Sequence, residues 1–137
     1  MNDRFKRQMP LFGEAGQAKL RAASVVVVGV GGLGTHVVQQ LALLGVGKLS
    51  LIDAEELDGT NRNRYIGGWH DDPIPGSAKV YLGKRLIGMI DPDITVATLY
   101  DSFVTEAGFA RVRASDYVFG CLDSEGARLI LNELCAA

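Results

Sequence analysis

The sequence predicts an α/β protein: a Rossmann-like, open, mainly parallel sheet with helices on both faces, ending after about four strands. Three observations predict it. The run Val25-Val26-Val27-Val28 is apolar at every position, as a strand covered on both faces must be. It ends in Gly29-Val30-Gly31-Gly32-Leu33-Gly34, the G-x-G-x-x-G spacing that turns a strand sharply into a helix. Strand-like and helix-like segments then alternate to the last residue, Ala137, which is the order of β-α-β units.

Each element has its own signal. Residues 13–23 read as a short helix delivering the chain to the first strand at about Ser24. After Gly34, the residues Val37, Val38, Leu41 and Leu44 recur with helical spacing, and Gly45 and Gly47 supply the stop and the turn out. Lys48 to Asp53 reads as a second strand, parallel to the first because a right-handed crossover joins strands this close in sequence. A long polar segment runs from Ala54 to Gly76. Ser77 is the expected N-cap of a helix over residues 78–90, which Asp91-Pro92 terminates. A third strand is expected over Ile94 to Leu99, a short helix over 105–112, a strand over Tyr117 to Cys121 and a last helix from Glu125. Residues 1–23 form an N-terminal arm and helix, and 24–137 form the Rossmann-like core of a single, partial domain. The pattern stops midway through a doubly wound order, as half of a larger domain would.

Composition narrows the setting. The chain of 137 residues is 47% hydrophobic, enough for a sizeable core. A net charge of −2 gives no general attraction to nucleic acid or anionic membrane. The N-terminus Met1 to Arg7 is polar, and the valine and leucine runs are broken well short of the roughly 20 residues a membrane span needs. A cytoplasmic protein without membrane association is expected. Cys121 and Cys135 are too few for a disulfide framework and lack zinc spacing, so no zinc site is expected.

Ligands of open α/β sheets bind at the carboxyl ends of the strands. Gly29, Gly31, Gly32 and Gly34 occupy four of six positions after the first strand, where bare backbone N–H groups meet an anion. Asp53 ends the second strand about 20 residues on, the spacing at which a carboxylate accepts from ribose hydroxyls. Cys121-Leu122-Asp123 ends the last strand. At this point NAD, FAD and ATP all remain open. The loop Thr60-Asn61-Arg62-Asn63-Arg64-Tyr65 adds two guanidinium groups suited to phosphate. Lys79 falls in the first turn of a predicted helix, where the macrodipole disfavours a cation unless an anion is close. Such a concentration of cations favours phosphoryl or adenylyl chemistry over hydride transfer. His36 and His70 are read as structural or solvated, and Cys121 as a small buried hydrophobe with no neighbour to lower its pKa.

Phe12-Gly13-Glu14-Ala15-Gly16-Gln17, Val28 to Gly34, Leu43-Leu44-Gly45-Val46-Gly47, Leu51-Ile52-Asp53, Asn61 to Arg64, Lys79 and Cys121-Leu122-Asp123 together resemble the ThiF/MoeB/HesA family of ubiquitin-activating-type adenylating enzymes. The resemblance spans nearly the whole chain in order. It implies an enzyme that binds ATP and Mg²⁺, adenylates the C-terminal carboxylate of a ubiquitin-like or sulfur-carrier protein and releases pyrophosphate. Some relatives activate a small molecule or a modified tRNA base instead, and outside such a tRNA-modifying subfamily no nucleic acid partner is expected. By matching position, Gly29, Gly31, Gly32 and Gly34 form the phosphate turn and Asp53 holds the ribose. Asn61, Arg64 and Lys79 contact phosphates, and Asp123 organises Mg²⁺ or the reacting centre. Arg7 matches an arginine that these dimeric enzymes insert into the partner's ATP site, so a homodimer is implied, with Arg64, Lys79, Asp123 and Arg7 as its catalytic set. Arg62, Tyr65 and Ser124 depart from the family pattern, where an apolar residue, glutamine and asparagine are common. The zinc cysteines, catalytic cysteine and groove for the protein tail that relatives carry belong to a region after Ala137. Two other readings stay in view: an NAD-dependent oxidoreductase, and a non-catalytic dimerisation partner of an activating enzyme.

Overall fold

The computed structural model of the chain describes residues 3–137; Met1 and Asn2, the start of the polar N-terminal stretch, lie outside the described residues. Four parallel strands, β1 (Ser24–Val28), β2 (Lys48–Ile52), β3 (Thr95–Leu99) and β4 (Tyr117–Gly120), stand in the order β3-β2-β1-β4. The helices are α1 (Met9–Ala22), α2 (Gly32–Leu44), α3 (Lys79–Ile90), α4 (Glu106–Arg113) and α5 (Glu125–Ala136). The register runs Val25 to Leu49, Val27 to Leu51 and Val28 to Ile52 on one side of β1, and Val25 to Tyr117 and Val28 to Gly120 on the other. Chain order reverses between β1 and β4, so the switch point of the sheet lies at Gly29 and Cys121.

The four valines of β1 serve two cores because successive side chains of a strand point to opposite faces. Val25 and Val27 pack with Leu49 and Leu51 against Val38, Leu41, Val80 and Ile87 of α2 and α3. Val26 and Val28 pack with Ile52 against Phe103, Val112 and Leu131 on the α4 and α5 side. Each fully buried valine stabilises the fold by about 1.5–3 kcal/mol relative to exposure. Edge strands β3 and β4 are more open, with Tyr117 62% exposed against 0% for Val26.

Several boundaries differ from those expected. Helix α1 starts at Met9 rather than residue 13, because the chain kinks at Gly13 (φ +67°) and continues as helix on both sides. Helix α2 opens at Gly32, inside the glycine run rather than after it, and ends at Gly45 in the left-handed conformation expected of a C-cap. Ser77 is not the N-cap of α3. That position is Ala78, without a side-chain cap, and the Ser77 hydroxyl donates instead to the Pro73 carbonyl at 2.8 Å. The α3 terminus is tied down by backbone, since the Lys79 N–H donates to the Glu55 carbonyl at 3.0 Å. The third strand begins one residue later than expected, at Thr95, and the fourth ends one residue earlier, at Gly120.

Candidate functional site

The glycine turn is shaped by backbone crowding. Gly29 has φ +92°, and a Cβ there would stand 2.6 Å from the Cys121 carbonyl oxygen. At Gly34 a Cβ would stand 2.0 Å from the Gly29 oxygen, so the first turn of α2 rests directly on the end of β1. Around Gly31 there is open space, which leaves its backbone able to meet a ligand. The turn therefore points the N-terminus of α2 into a cleft of about 1010 Å³.

Gly29, Gly31, Gly32, Asp53, Asn61, Arg64, Lys79 and Asp123 all line that cleft. Gly34 does not, and acts through packing. Arg7 is exposed and also stands outside the lining. Asp53 braces the turn: its Oδ2 accepts from the Val30 N–H at 2.7 Å and its Oδ1 from the Glu55 N–H at 2.8 Å. Burial pushes this carboxyl above its ordinary pKa, opposed by those two hydrogen bonds and by the Lys79 ammonium.

Arg64 stands on the loop between β2 and α3, and Lys79 is the first residue of α3. Lys79 is 5% exposed, and its Nζ donates to Glu55 Oε2 at 2.5 Å. The anion demanded by a lysine at a helix N-terminus is thus present within the chain. The Arg64 stem lies 3.0 Å from where a Cβ on Gly32 would stand, and its Nη1 donates to Thr60 O at 2.8 Å and Asn63 Oδ1 at 3.1 Å. Asn61 completes a capping box with Asp58, accepting from the Asp58 N–H at 3.1 Å while the Asp58 carboxylate accepts from the Thr60 N–H at 2.7 Å. Hydrogen bonding from the Thr60 side chain, and then from its N–H, draws the Asp58 carboxyl below its ordinary pKa. Tyr65 is buried and donates to the Lys79 carbonyl at 3.0 Å; burial raises its phenol pKa.

Arg62, which departs from the family pattern, fastens the loop to itself. Its Nη1 donates to Trp69 O at 2.7 Å and its Nη2 to Asp72 O at 3.0 Å. Arg85 grips Asp72 bidentately at 2.7 and 2.6 Å and lies 5.5 Å from the Trp69 ring centroid. The hydrogen-bonded Arg85 guanidinium holds the Asp72 carboxyl below its ordinary range. A carboxyl whose folded pKa is depressed contributes stability above its unfolded value of about 3.9 and loses it as pH falls through the folded value. Asp72→Asn is accordingly expected to cost about 2 kcal/mol at pH 7, with the gap in melting temperature from wild type closing below about pH 4. A gap that stays constant across this range would show that charge is not its source.

Sequence reasoning missed Glu55, and it missed Asp101 to Val104, which line the cleft beyond the end of β3. The strand-end rule applied to the third strand would have found the latter. His36 also lines the cleft and is exposed, with Nδ1 2.6 Å from the Gly32 oxygen. Cys121 is half-buried, and burial raises its thiol pKa, so it is no ready thiolate. Among the described residues there is no cluster of three or more side chains suited to hold a metal, and no helix long and apolar enough to cross a membrane.

A parallel sheet with helices on both faces, and a glycine turn, three basic side chains (Arg64, Lys79 and Arg128) and a strand-end aspartate around the cleft at its switch point, define a Rossmann-like α/β protein. Residues 5–137 match the ThiF family, and the chain belongs to that family. Protein HesA, heterocyst, from Trichormus variabilis is 35% identical over 135 residues, covering 97% of this chain and 50% of HesA. The adenylyltransferase and sulfurtransferase MOCS3 of Bos taurus is 31% identical over 134 residues, covering 96% of this chain and 29% of MOCS3. The crystal structure of E. coli tRNA N6-threonylcarbamoyladenosine dehydratase, TcdA, in complex with ATP superposes with a TM-score of 0.79 at 32% identity, over 89% of this chain and 50% of TcdA. The chain thus spans about half the length of HesA and TcdA.

Proposed function

We propose that this chain carries the nucleotide-binding part of an ATP-dependent adenylating enzyme. The observation that carries the reading is the convergence of the glycine turn, Arg64, Lys79 and Asp123 on one cleft at the switch point. The name of MOCS3 and the ATP complex of TcdA support it. Gly31 and Gly32 present backbone N–H groups to phosphate oxygens, Asp53 faces the ribose, and Asn61, Arg64 and Lys79 meet the polyphosphate. The cleft volume of about 1010 Å³ accommodates a nucleotide together with the end of an acceptor.

In the proposed reaction a carboxylate oxygen of the acceptor attacks the α-phosphorus of ATP. The bond from that phosphorus to the bridging oxygen breaks, and pyrophosphate leaves with its electron pair, giving an acyl adenylate. Charge builds on phosphoryl oxygens throughout, so Arg64 and Lys79 lower the barrier by position and charge alone. No side-chain nucleophile takes part. Mg²⁺ keeps most of its water and needs one or two carboxylates besides phosphates, which the exposed Asp123 fits without a larger acidic cluster. When bound, Mg²⁺ would supply charge neutralisation at the phosphates. The acceptor is proposed to be the C-terminal carboxylate of a ubiquitin-like or sulfur-carrier protein. Arg7, outside its own cleft, is proposed to serve the second subunit of a homodimer.

Thermal-shift titration tests the nucleotide: Mg·ATP is expected to raise the melting temperature and NAD to leave it unchanged. Protection by NAD alone would assign the cleft to hydride transfer. In the enzyme extended to the length of its relatives, ATP–pyrophosphate exchange with an acceptor is expected to fall at least about tenfold on Asp123→Ala. ATP binding with no exchange toward any ubiquitin-like or sulfur-carrier protein would favour a non-catalytic partner.

A further inference from the structure

We propose that Glu55 competes with the nucleotide polyphosphate for the Lys79 ammonium, and so sets the affinity of the cleft for its nucleotide. The inference rests on the ATP reading above. Lys79 cannot leave: its side chain is 7% exposed, it begins α3, and Nζ has Glu55 as its one hydrogen-bond partner among the described residues. An ammonium so enclosed requires an anion at all times. Glu55 can leave, because its side chain is 69% exposed to solvent. Both residues line the cleft.

An ammonium has three donors and could in principle serve carboxylate and phosphate together. Electrostatics opposes that arrangement. A carboxylate and a polyphosphate meeting on one Nζ would stand a few ångströms apart as like charges in a partly dry site. Asp53 adds a third negative group, since Glu55 and Lys79 act on its carboxyl in opposite directions. Binding therefore exchanges one anion for another on Lys79, while Glu55 swings into solvent. Nucleotide affinity is reduced by the strength of the pair that must be broken.

The test is calorimetric titration of the chain with ATP in EDTA, and again with excess Mg²⁺, for wild type, Glu55→Gln, Lys79→Met and the double variant. Competition predicts about fivefold tighter ATP binding by Glu55→Gln with or without Mg²⁺. It predicts weaker binding by Lys79→Met, and no gain from the Gln substitution once Lys79 is gone. Glu55→Ala provides the same comparison if the Gln variant does not fold. Unchanged or weaker binding by the Glu55 variants overturns the proposal, as does an equal gain in the Lys79→Met background. A loss seen only with Mg²⁺ would make Glu55 a metal-site residue instead, and also overturns it. Should wild type bind no ATP, both this proposal and the nucleotide reading fall; tight wild-type binding with a flat Glu55→Gln result overturns the competition alone.

Discussion

Gly34→Ala is expected to destabilise the chain by about 3 kcal/mol or more, a fall in melting temperature exceeding about 10 °C. The added methyl would stand 2.0 Å from the Gly29 carbonyl oxygen, and that atom belongs to backbone at the end of a fully buried strand. A flexible side chain could turn aside; this carbonyl cannot, because the Gly29 N–H donates to the Ile52 carbonyl at 2.8 Å and holds the turn to β2. Relief requires α2 to lift from the sheet, which opens the core around Val38 and Leu41. Gly31→Ala is the internal control. Nothing lies within 4 Å of its added Cβ, so stability should change by less than about 1 kcal/mol. Equal melting temperatures for Gly34→Ala and wild type would refute the close approach of α2 to β1.

Lys79→Met is expected to separate binding from folding. The substitution removes a cation from a helix N-terminus and breaks an ion pair whose carboxylate is 69% exposed; the buried Asp53 carboxyl loses a nearby cation but keeps its hydrogen bonds from the Val30 and Glu55 N–H groups. Burying methionine in place of lysine is then close to neutral for stability, within about 1 kcal/mol. A charged hydrogen bond to phosphate contributes about 1.5–3 kcal/mol, so ATP affinity should fall roughly 10- to 150-fold. Melting curves and ATP titration on the same preparation check both halves. A variant that unfolds would make Lys79 a structural residue, and one that binds ATP normally would remove it from the site.

Much of the architecture is written in local pattern. Four valines between a helix and a glycine turn admit little besides a central parallel strand, and Gly45 and Asp91-Pro92 ended α2 and α3 where expected. Helix starts were less legible. Ser77 has the side chain of an N-cap, yet its hydroxyl satisfies the Pro73 carbonyl and the cap falls to Ala78. The choice depends on the path of the preceding loop, which Arg62, Asp72 and Arg85 hold through contacts 7 to 13 residues apart in sequence. The start of α1 was hidden for a different reason, since a kink at Gly13 lets helix continue through a residue that pattern reads as a boundary.

The same division runs through the site. Sequence by itself determined the α/β class, the glycine turn and the presence of an acidic residue at the end of the second strand, because these rest on spacing within one β-α-β unit, and it determined the family through motifs that follow one another in order along nearly the whole chain. Only the tertiary structure decided which distant groups share a cleft and what they bind within the chain. It set Lys79 against Glu55 across 24 residues, tied Asp53 to Val30 across 23, and left Arg7 outside the cleft. Pairing of charges is a property of distance in space, and a one-dimensional pattern carries that distance only where the backbone between two residues has a single regular path.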